Sequence, residues 1–249
     1  MLLGGRGRMT LTFLGTRGEI DVRTRRHRRH TSTLVSNRGS RVMIDCGTDW
    51  LREVHRLAPD AIVLTHAHPD HVDGLRHGSP CPVYAPSAVW QAIVSWPIDD
   101  RHRLALRAPT DIRGIQFEAF TLDHSVIAPA VGYRIRAGRQ TVFYAPDVLR
   151  IRRPKAALTD VDLYIGDGAT IERPIVRLES RKGARVGHAS IATQLDWCAR
   201  AGVPRAIFTH CGRAIVAGPS DVERRISDLG RAHDVEARVA QDGLRIRVQ

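Results

Sequence analysis

His66-Ala67-His68-Pro69-Asp70-His71 follows directly on the apolar stretch Ala61-Ile62-Val63-Leu64-Thr65. That stretch is short, β-branched and aliphatic and ends in a turn, so it reads as a buried strand with the histidines on the loop at its carboxyl end. Open α/β sheets place their ligands there. Alternate side chains of an extended segment share one side, so His66 and His68 can reach one ion together. Pro69 turns the chain, and Asp70 and His71 can then face a second ion nearby. Neutral imidazole and carboxylate donors suit Zn²⁺ first, with Mn²⁺ or Fe as alternatives, and leave room for water. The competing reading is a solvated, histidine-rich loop.

Strand-like runs recur on either side of this motif. They are Thr10 to Leu14, Thr33 to Ser36, Arg41 to Asp45, Pro82 to Tyr84, Gln116 to Leu122, Gly132 to Ile135, Thr141 to Tyr144, Asp162 to Ile165, Ala206 to Thr209 and, in two pieces, Glu236 to Val248. Helical periodicity is confined to Trp50 to Leu57, Ser87 to Trp96, Ile191 to Ala201 and Asp221 to His233. Ser190 and Ser220-Asp221 are start signals, Ser87 follows Pro86, and Gly202 stands where a left-handed cap ends a helix. Ile191, Leu195, Trp197 and Cys198 form one stripe, read as core packing. Helices that flank the strands rather than alternate regularly with them predict an α/β protein of the α+β kind, two mixed sheets face to face with helices outside. This is a four-layer αββα sandwich over residues 1–249 as one domain, with residues 1–8 expected to be flexible.

The 249 residues, 43% of them apolar, suffice for a substantial core. No run reaches the length of a membrane span and no signal-peptide core is present, so the expected location is cytoplasmic. Cys46, Cys81, Cys198 and Cys211 include no Cys-x-x-Cys pair, which argues against a disulfide framework or a structural zinc knuckle. The net charge of +12 favours anionic partners. Only Lys155 and Lys182 are lysines, however, so coding bias towards arginine explains the charge as well as function does.

Five further polar signals each close a strand-like run, or precede a capped helix, and a sandwich could gather them at one edge. Asp45-Cys46-Gly47 ends Val42-Met43-Ile44, where a carboxylate can hold a metal-bound imidazole through its distal N–H. His124 ends the run to Leu122, Asp147 follows Ala145-Pro146, and His210 precedes Cys211-Gly212. His188 follows Gly187 before the helix at Ser190. Asp167, in Gly166-Asp167-Gly168, ends another strand and could be a ligand, but is read first as a turn carboxylate. Cys211 is read as a small buried residue, and His27, His30, His55, His77, His102 and His233 as surface or packing residues.

With these residues in order, the chain resembles the metallo-β-lactamase-fold hydrolases, in particular the branch with ribonuclease Z and the cyclic-phosphate phosphodiesterase. The likeness runs from Leu14-Gly15-Thr16 through Arg29-His30-Thr31-Ser32, Asp45-Cys46-Gly47 and His66 to His71. It continues through Leu122-Asp123-His124-Ser125, Gly132-Tyr133-Arg134, Tyr144-Ala145-Pro146-Asp147, Gly187-His188-Ala189-Ser190 and Thr209-His210-Cys211-Gly212. The resemblance implies two divalent ions, one on His66, His68 and His124 and the other on Asp70, His71 and His210, bridged by Asp147. Two such ions, roughly 3.5–4 Å apart, can share a hydroxide and hold phosphate oxygens. It further implies His188 as a catalytic residue outside the metal shell, acting on the leaving alkoxide, and Asp70 as a proton acceptor.

Ribonuclease Z enzymes that process transfer RNA typically carry a long arm between the third-motif histidine and the bridging aspartate. Only residues 125–146 separate His124 from Asp147, so the arm is missing. The metal-binding Cys cluster of some cyclic-phosphate members is missing too. The expectation is a dinuclear phosphodiesterase acting on a small or cyclic anionic phosphodiester. Its rivals are a ribonuclease Z-like endonuclease with a nucleic-acid partner, a lactone or thioester hydrolase, and a nucleic-acid-binding protein with a vestigial site. A homodimer is an open alternative. The unmatched segment Val148 to Val186 carries Arg150, Arg152, Arg153, Lys155, Arg173, Arg177, Arg181, Lys182 and Arg185. It is expected to border the site, with Arg173, Arg177 and Arg181 as phosphate contacts.

Overall fold

The computed structural model describes residues 8–179 and 183–248. Residues 1–7 of the start expected to be flexible, and Arg181 and Lys182 of the basic segment, lie outside the described residues. β1 (Thr10–Gly15), β2 (Ser32–Asn37), β3 (Ser40–Ile44), β4 (Ala61–Val63), β5 (Val83–Ala85) and β6 (Arg101–Arg103) lie side by side in chain order. A last strand, Arg245–Arg247, closes this sheet against β1. The following strands are β7 (Thr110–Ile112), β8 (Ile115–Asp123), β9 (Ala130–Ala137), β10 (Gln140–Tyr144), β11 (Arg150–Ile151), β12 (Leu163–Asp167), β13 (Ile175–Glu179), β14 (Ala184–His188), β15 (Arg205–Thr209) and β16 (Glu236–Val239). The second sheet runs β11-β8-β9-β10-β12-β15-β16 with β7 on β8, and β13 and β14 form a separate ribbon.

Strand direction explains why the polar signals gather. β3, β4, β5 and β6 are mutually parallel, as are β10, β12, β15 and β16. β8 is antiparallel to β9, and β9 to β10, so β8 points the same way as β10. The carboxyl ends of β8, β10, β12 and β15 therefore share one edge of the second sheet.

Three apolar layers separate the four layers of backbone. Between the sheets, Phe13, Val35, Ile44 and Val63 meet Phe117, Tyr133, Ile135, Tyr144 and Ile165. Outside the first sheet, Met43, Ile62 and Leu64 pack on Val54, Val72 and Val89 of α1 (Val54–Leu57), α2 (Pro69–Val72) and α3 (Ser87–Ala92). Outside the second, Phe143, Tyr164 and Phe208 pack on α4 (Pro154–Leu158), α5 (Ile191–Ala201), α6 (Arg213–Val216) and α7 (Val222–Ala232). Each of these side chains, fully buried, is worth roughly 1.5–3 kcal/mol. The αββα expectation is met. Tyr133 ties the two sheets with a polar bond as well, its hydroxyl donating to the Leu64 carbonyl at 2.6 Å.

Local signals explain most boundaries. Ser190 Oγ accepts from the Thr193 N–H at 3.1 Å, and Gly202 closes α5 at φ 69°. Two helices are shorter than their periodicity predicts. The stretch from Trp50 to Leu57 divides into a 3₁₀ turn, Thr48–Trp50, and the single turn α1, which Ala58 ends in left-handed geometry before Pro59. Of Ser87 to Trp96 only α3 is α-helical, the backbone leaving helical geometry at Ile93 with φ −113° and ψ 30°. β6, β7 and the ribbon of β13 and β14 are strands the apolar pattern does not predict. No helix among the described residues is long and apolar enough to cross a membrane.

Candidate metal centre

The loop leaving β4 carries His66 and His68, and α2 begins at Pro69, whose fixed φ suits a first helical position. One helical turn then swings Asp70 and His71 inward. Gly47 permits this close approach, because a Cβ there would lie 1.7 Å from the Asp70 carbonyl. The ends of β8, β10 and β15 add His124, Asp147 and His210. Every residue predicted as a ligand is thus brought to one place. His66 Nε2 and His68 Nδ1 are 2.9 Å apart, and His124 Nε2 is 3.3 Å from His68 Nδ1. On the other side, Asp70 Oδ2 lies 3.3 Å from His71 Nε2 and 3.2 Å from His210 Nε2. Asp147 stands between the groups, with Oδ2 2.7 Å from His71 Nε2 and 3.7 Å from His66 Nε2.

Such a crowd of donors is costly unless something positive sits among them. His71 Nε2, His210 Nδ1 and both carboxylate oxygens of Asp147 are buried without a hydrogen-bond partner. These are the lone pairs that metal ions would take, and the nitrogen–oxygen donor set suits divalent ions. The residues present therefore fit the expected pair of ions.

Three imidazoles are fixed through Nδ1, which leaves Nε2 to face the centre. His71 Nδ1 donates to Asp45 Oδ2 at 2.9 Å, His124 Nδ1 to the Gly187 carbonyl at 3.1 Å, and His66 Nδ1 lies 3.0 Å from Thr65 Oγ1. Asp45 is itself anchored by the Thr65 N–H at 2.8 Å. Asp45 and His210 both take positive φ, 61° and 53°, backbone strain of the kind that functional sites hold. Burial keeps His66, His68 and His124 neutral, with the His68 pKa lowered to about 4. For Asp70 burial favours the neutral acid, but His71 and His210 outweigh it and hold the carboxyl well below its usual range. Burial opposes Asp147 ionisation too, and His210, His124 and His71 again win.

His188 stands beside the cluster, with Nδ1 donating to Asp167 Oδ2 at 2.7 Å. The Asp167 carboxylate also accepts from the Val148 N–H at 3.0 Å and the Ala169 N–H at 2.8 Å. Asp167 therefore ends a strand and makes the side-chain turn bond to Ala169 expected of it, and it orients His188 as well. It is the last residue of β12 and fully buried, and its flanking glycines are there for packing: a Cβ on Gly166 would lie 2.3 Å from the Tyr164 ring. Burial alone would lower the His188 pKa, but Asp167 and Asp147 overcome it and raise it to about 9.

The basic segment divides into two parts, and its β13 part lies beside the site, since Ile175 pairs with His188. Arg173 and Arg177 are exposed, one before and one on β13, and neither guanidinium forms an ion pair among the described residues. Arg150, Arg152 and Lys155 turn away onto the outer face, because β11 pairs with β8 at the sheet edge and Pro154 starts α4. His30, read as a surface or packing residue, lies buried in a charged group: Arg17 Nη2 is 2.7 Å from its Nε2, and Asp49 Oδ2 is 3.0 Å from its Nδ1. Cys211 is buried, as expected, and burial pushes its thiol pKa up.

Residues 40–211 match the model of the beta-lactamase superfamily domain. The chain belongs to this family. That membership makes it a metal-dependent hydrolase that uses divalent ions. Among related sequences, the ribonuclease Z of Methanopyrus kandleri is 26% identical over 97% of this chain and 98% of its own length. Among solved folds, the metallo-beta-lactamase fold protein YhfI of Bacillus subtilis superposes with a TM-score of 0.75 at 16% identity, covering 97% of this chain and 99% of its own. A diphosphatase from the PhnP family does so with a TM-score of 0.69 at 19% identity, covering 97% and 98%.

Proposed function

We propose that this beta-lactamase superfamily protein is a dinuclear zinc phosphodiesterase that hydrolyses a small or cyclic phosphodiester. The observation that carries the reading is the pairing, at one sheet edge, of a seven-residue donor cluster with an imidazole held outside it by a buried carboxylate. His66, His68 and His124 would hold one ion, Asp70, His71 and His210 the other, with Asp147 between them. The ions would supply positive charge for the phosphate oxygens and lower the pKa of water. Asp70, held ionised, takes a proton from the attacking water, and that oxygen forms the new bond to phosphorus. As the bond from phosphorus to the leaving oxygen breaks, His188 gives that oxygen its proton, with Asp167 steadying the imidazolium.

A small substrate is favoured by what connects β8 to β9. Residues 124–129 suffice, and no arm extends there to grip a folded RNA. A panel of bis(p-nitrophenyl) phosphate, a 2′,3′-cyclic nucleotide, precursor transfer RNA, a lactone and a thioester tests the proposal. Diester hydrolysis abolished by chelation and restored by Zn²⁺ is expected, with poor cleavage of the transfer RNA precursor. Turnover of only the lactone or thioester would overturn it. A ribonuclease Z-like endonuclease is the second reading, favoured by the 26% identity that runs along 97% of the chain. Efficient trimming of the precursor at its 3′ trailer would select it.

A further inference from the structure

The cations that turn away from the metal centre build a surface of their own. Arg150, Arg152 and Lys155 meet Arg200 and Trp197 of α5 around a cavity of about 1010 Å³, with Ile151 and Leu158 among its apolar lining. A second concavity of about 560 Å³ shares Arg150, Arg152 and Trp197 with the first and continues to Asp123 and Arg185. The cations thus spread along a continuous groove.

Little inside it offsets their charge. Among the described residues Asp123 is the one carboxylate on the lining, and it accepts from both Arg150 Nε and Arg152 Nε at 2.7 Å. Arg200 pairs with Asp196, one turn earlier on its own helix. Lys155 and Arg185 have no ion-pair partner among the described residues, and both side chains are exposed. Between these charges stands Trp197. Ile191, Leu195 and Cys198 form the fully buried stripe of α5, whereas Trp197 lies off it and is only partly buried. It packs against the outer core and also lines the groove. Reading this residue as core packing was half correct.

We propose that this groove binds a short single strand of nucleic acid, with a base stacked on Trp197 and successive phosphates on Arg150, Arg152, Lys155, Arg200 and Arg185. A compact anion needs one cluster of cations, whereas here they line two adjoining concavities. A duplex keeps its base faces stacked inside and has none to offer an indole on a groove wall. Charge along a track with an aromatic face between is the arrangement that single strands use. The groove also leads towards the chemistry: Asp123 precedes His124, and Arg185 lies on β14, whose last residue is His188. As a route for substrate it rests on the phosphodiesterase reading and names short single-stranded oligonucleotides as the substrate class; as a binding surface it does not.

Fluorescence anisotropy of the zinc-loaded full chain with labelled octadeoxyadenylate in phosphorothioate linkage, which resists hydrolysis, tests this without turnover. The strand should bind more tightly than a duplex of equal length. With five phosphates contacted, the slope of log affinity against log salt should be roughly −3.5. Trp197→Ala should weaken binding about 5- to 100-fold, the usual range for one stacked base. The double variant Lys155→Glu/Arg200→Glu alters only exposed side chains, so it should fold. It should weaken binding about tenfold or more and flatten the salt slope. Both variants should hydrolyse bis(p-nitrophenyl) phosphate as wild type does. Equal affinity for duplex, or unchanged binding by the double variant, overturns the groove. Binding without any diester hydrolysis leaves the groove standing and removes the phosphodiesterase reading, and hydrolysis without binding does the opposite.

Discussion

The first sheet holds His71 against Asp45 through Nδ1 at 2.9 Å, and the second holds His188 against Asp167 through Nδ1 at 2.7 Å. Both carboxylates are fully buried at the end of a strand run. The imidazoles differ in what their other nitrogen meets. The His71 side chain is 0% exposed and its Nε2 lies against Asp70 and Asp147, whereas 21% of the His188 side chain is open to solvent. One device, a carboxylate that fixes tautomer and orientation, serves two tasks according to what the free edge of the ring can reach. On the proposed function, inside the donor cluster it prepares a ligand, and at the rim it prepares a proton donor.

Removing what lies between the two pairs should have the largest effect. Purified wild type should hold close to two divalent ions per chain, and Asp147→Ala should lose at least one of them together with activity. Elemental analysis that finds a single ion in fully loaded, active wild type would break the comparison at its root, since His71 would then have no partner ion of its own.

His188→Ala should separate the two tasks. Metal content and fold should stay as in wild type, while turnover falls by roughly 10²- to 10⁴-fold, the usual worth of a general acid. The loss should shrink for nitrophenolate leaving groups, which need little protonation. Equal losses for good and poor leaving groups would deny His188 the proton, and lost metal would make it a ligand.

Exchanging the carboxylates sharpens the contrast at smaller cost. Asp45→Asn should weaken metal affinity about 10- to 100-fold, the range for partners of metal-bound histidines. Asp167→Asn should leave metal affinity alone and lower turnover, by less than His188→Ala does. Isothermal titration with Zn²⁺ beside steady-state kinetics reads both. If the two variants show the same pattern, the two pairs are one device with one task.

How far the sequence reaches follows from the same residues. The donors from His66 to His71 are contiguous, and the strand before them is apolar enough to place them at its end, so cluster and sandwich are both legible. His124, Asp147 and His210 are legible because each closes an apolar run. Asp167 is legible as a strand end and turn carboxylate, but its bond to His188 is not, because nothing in Gly-Asp-Gly says which side chain that carboxylate meets across the sheet edge. The direction of Arg150, Arg152 and Lys155 is illegible for a related reason: the pairing of β11 with β8 decides which way they face, and nothing in their composition encodes it.

His30 supplies a third imidazole beside a carboxylate, and it reverses the outcome. Asp49 lies against it and Glu19 Oε2 is 3.2 Å from its Nε2, yet burial and the Arg17 guanidinium lower its pKa to about 4. Arg17 donates to Nε2, which requires a lone pair there and so the neutral ring. The sign is then fixed. The unfolded chain takes up a proton near pH 6.5, which folded His30 refuses until about pH 4. Its contribution to stability is complete above the unfolded value, declines as pH falls between the two, and changes no further below the lower one. Urea unfolding of metal-loaded wild type at pH 7 and pH 4.5 should therefore show a larger drop than the same pair of measurements on His30→Gln, which cannot titrate. Groups common to both proteins cancel in that difference. Equal drops would mean that Asp49 and Glu19 govern this ring after all, as Asp45 and Asp167 govern theirs.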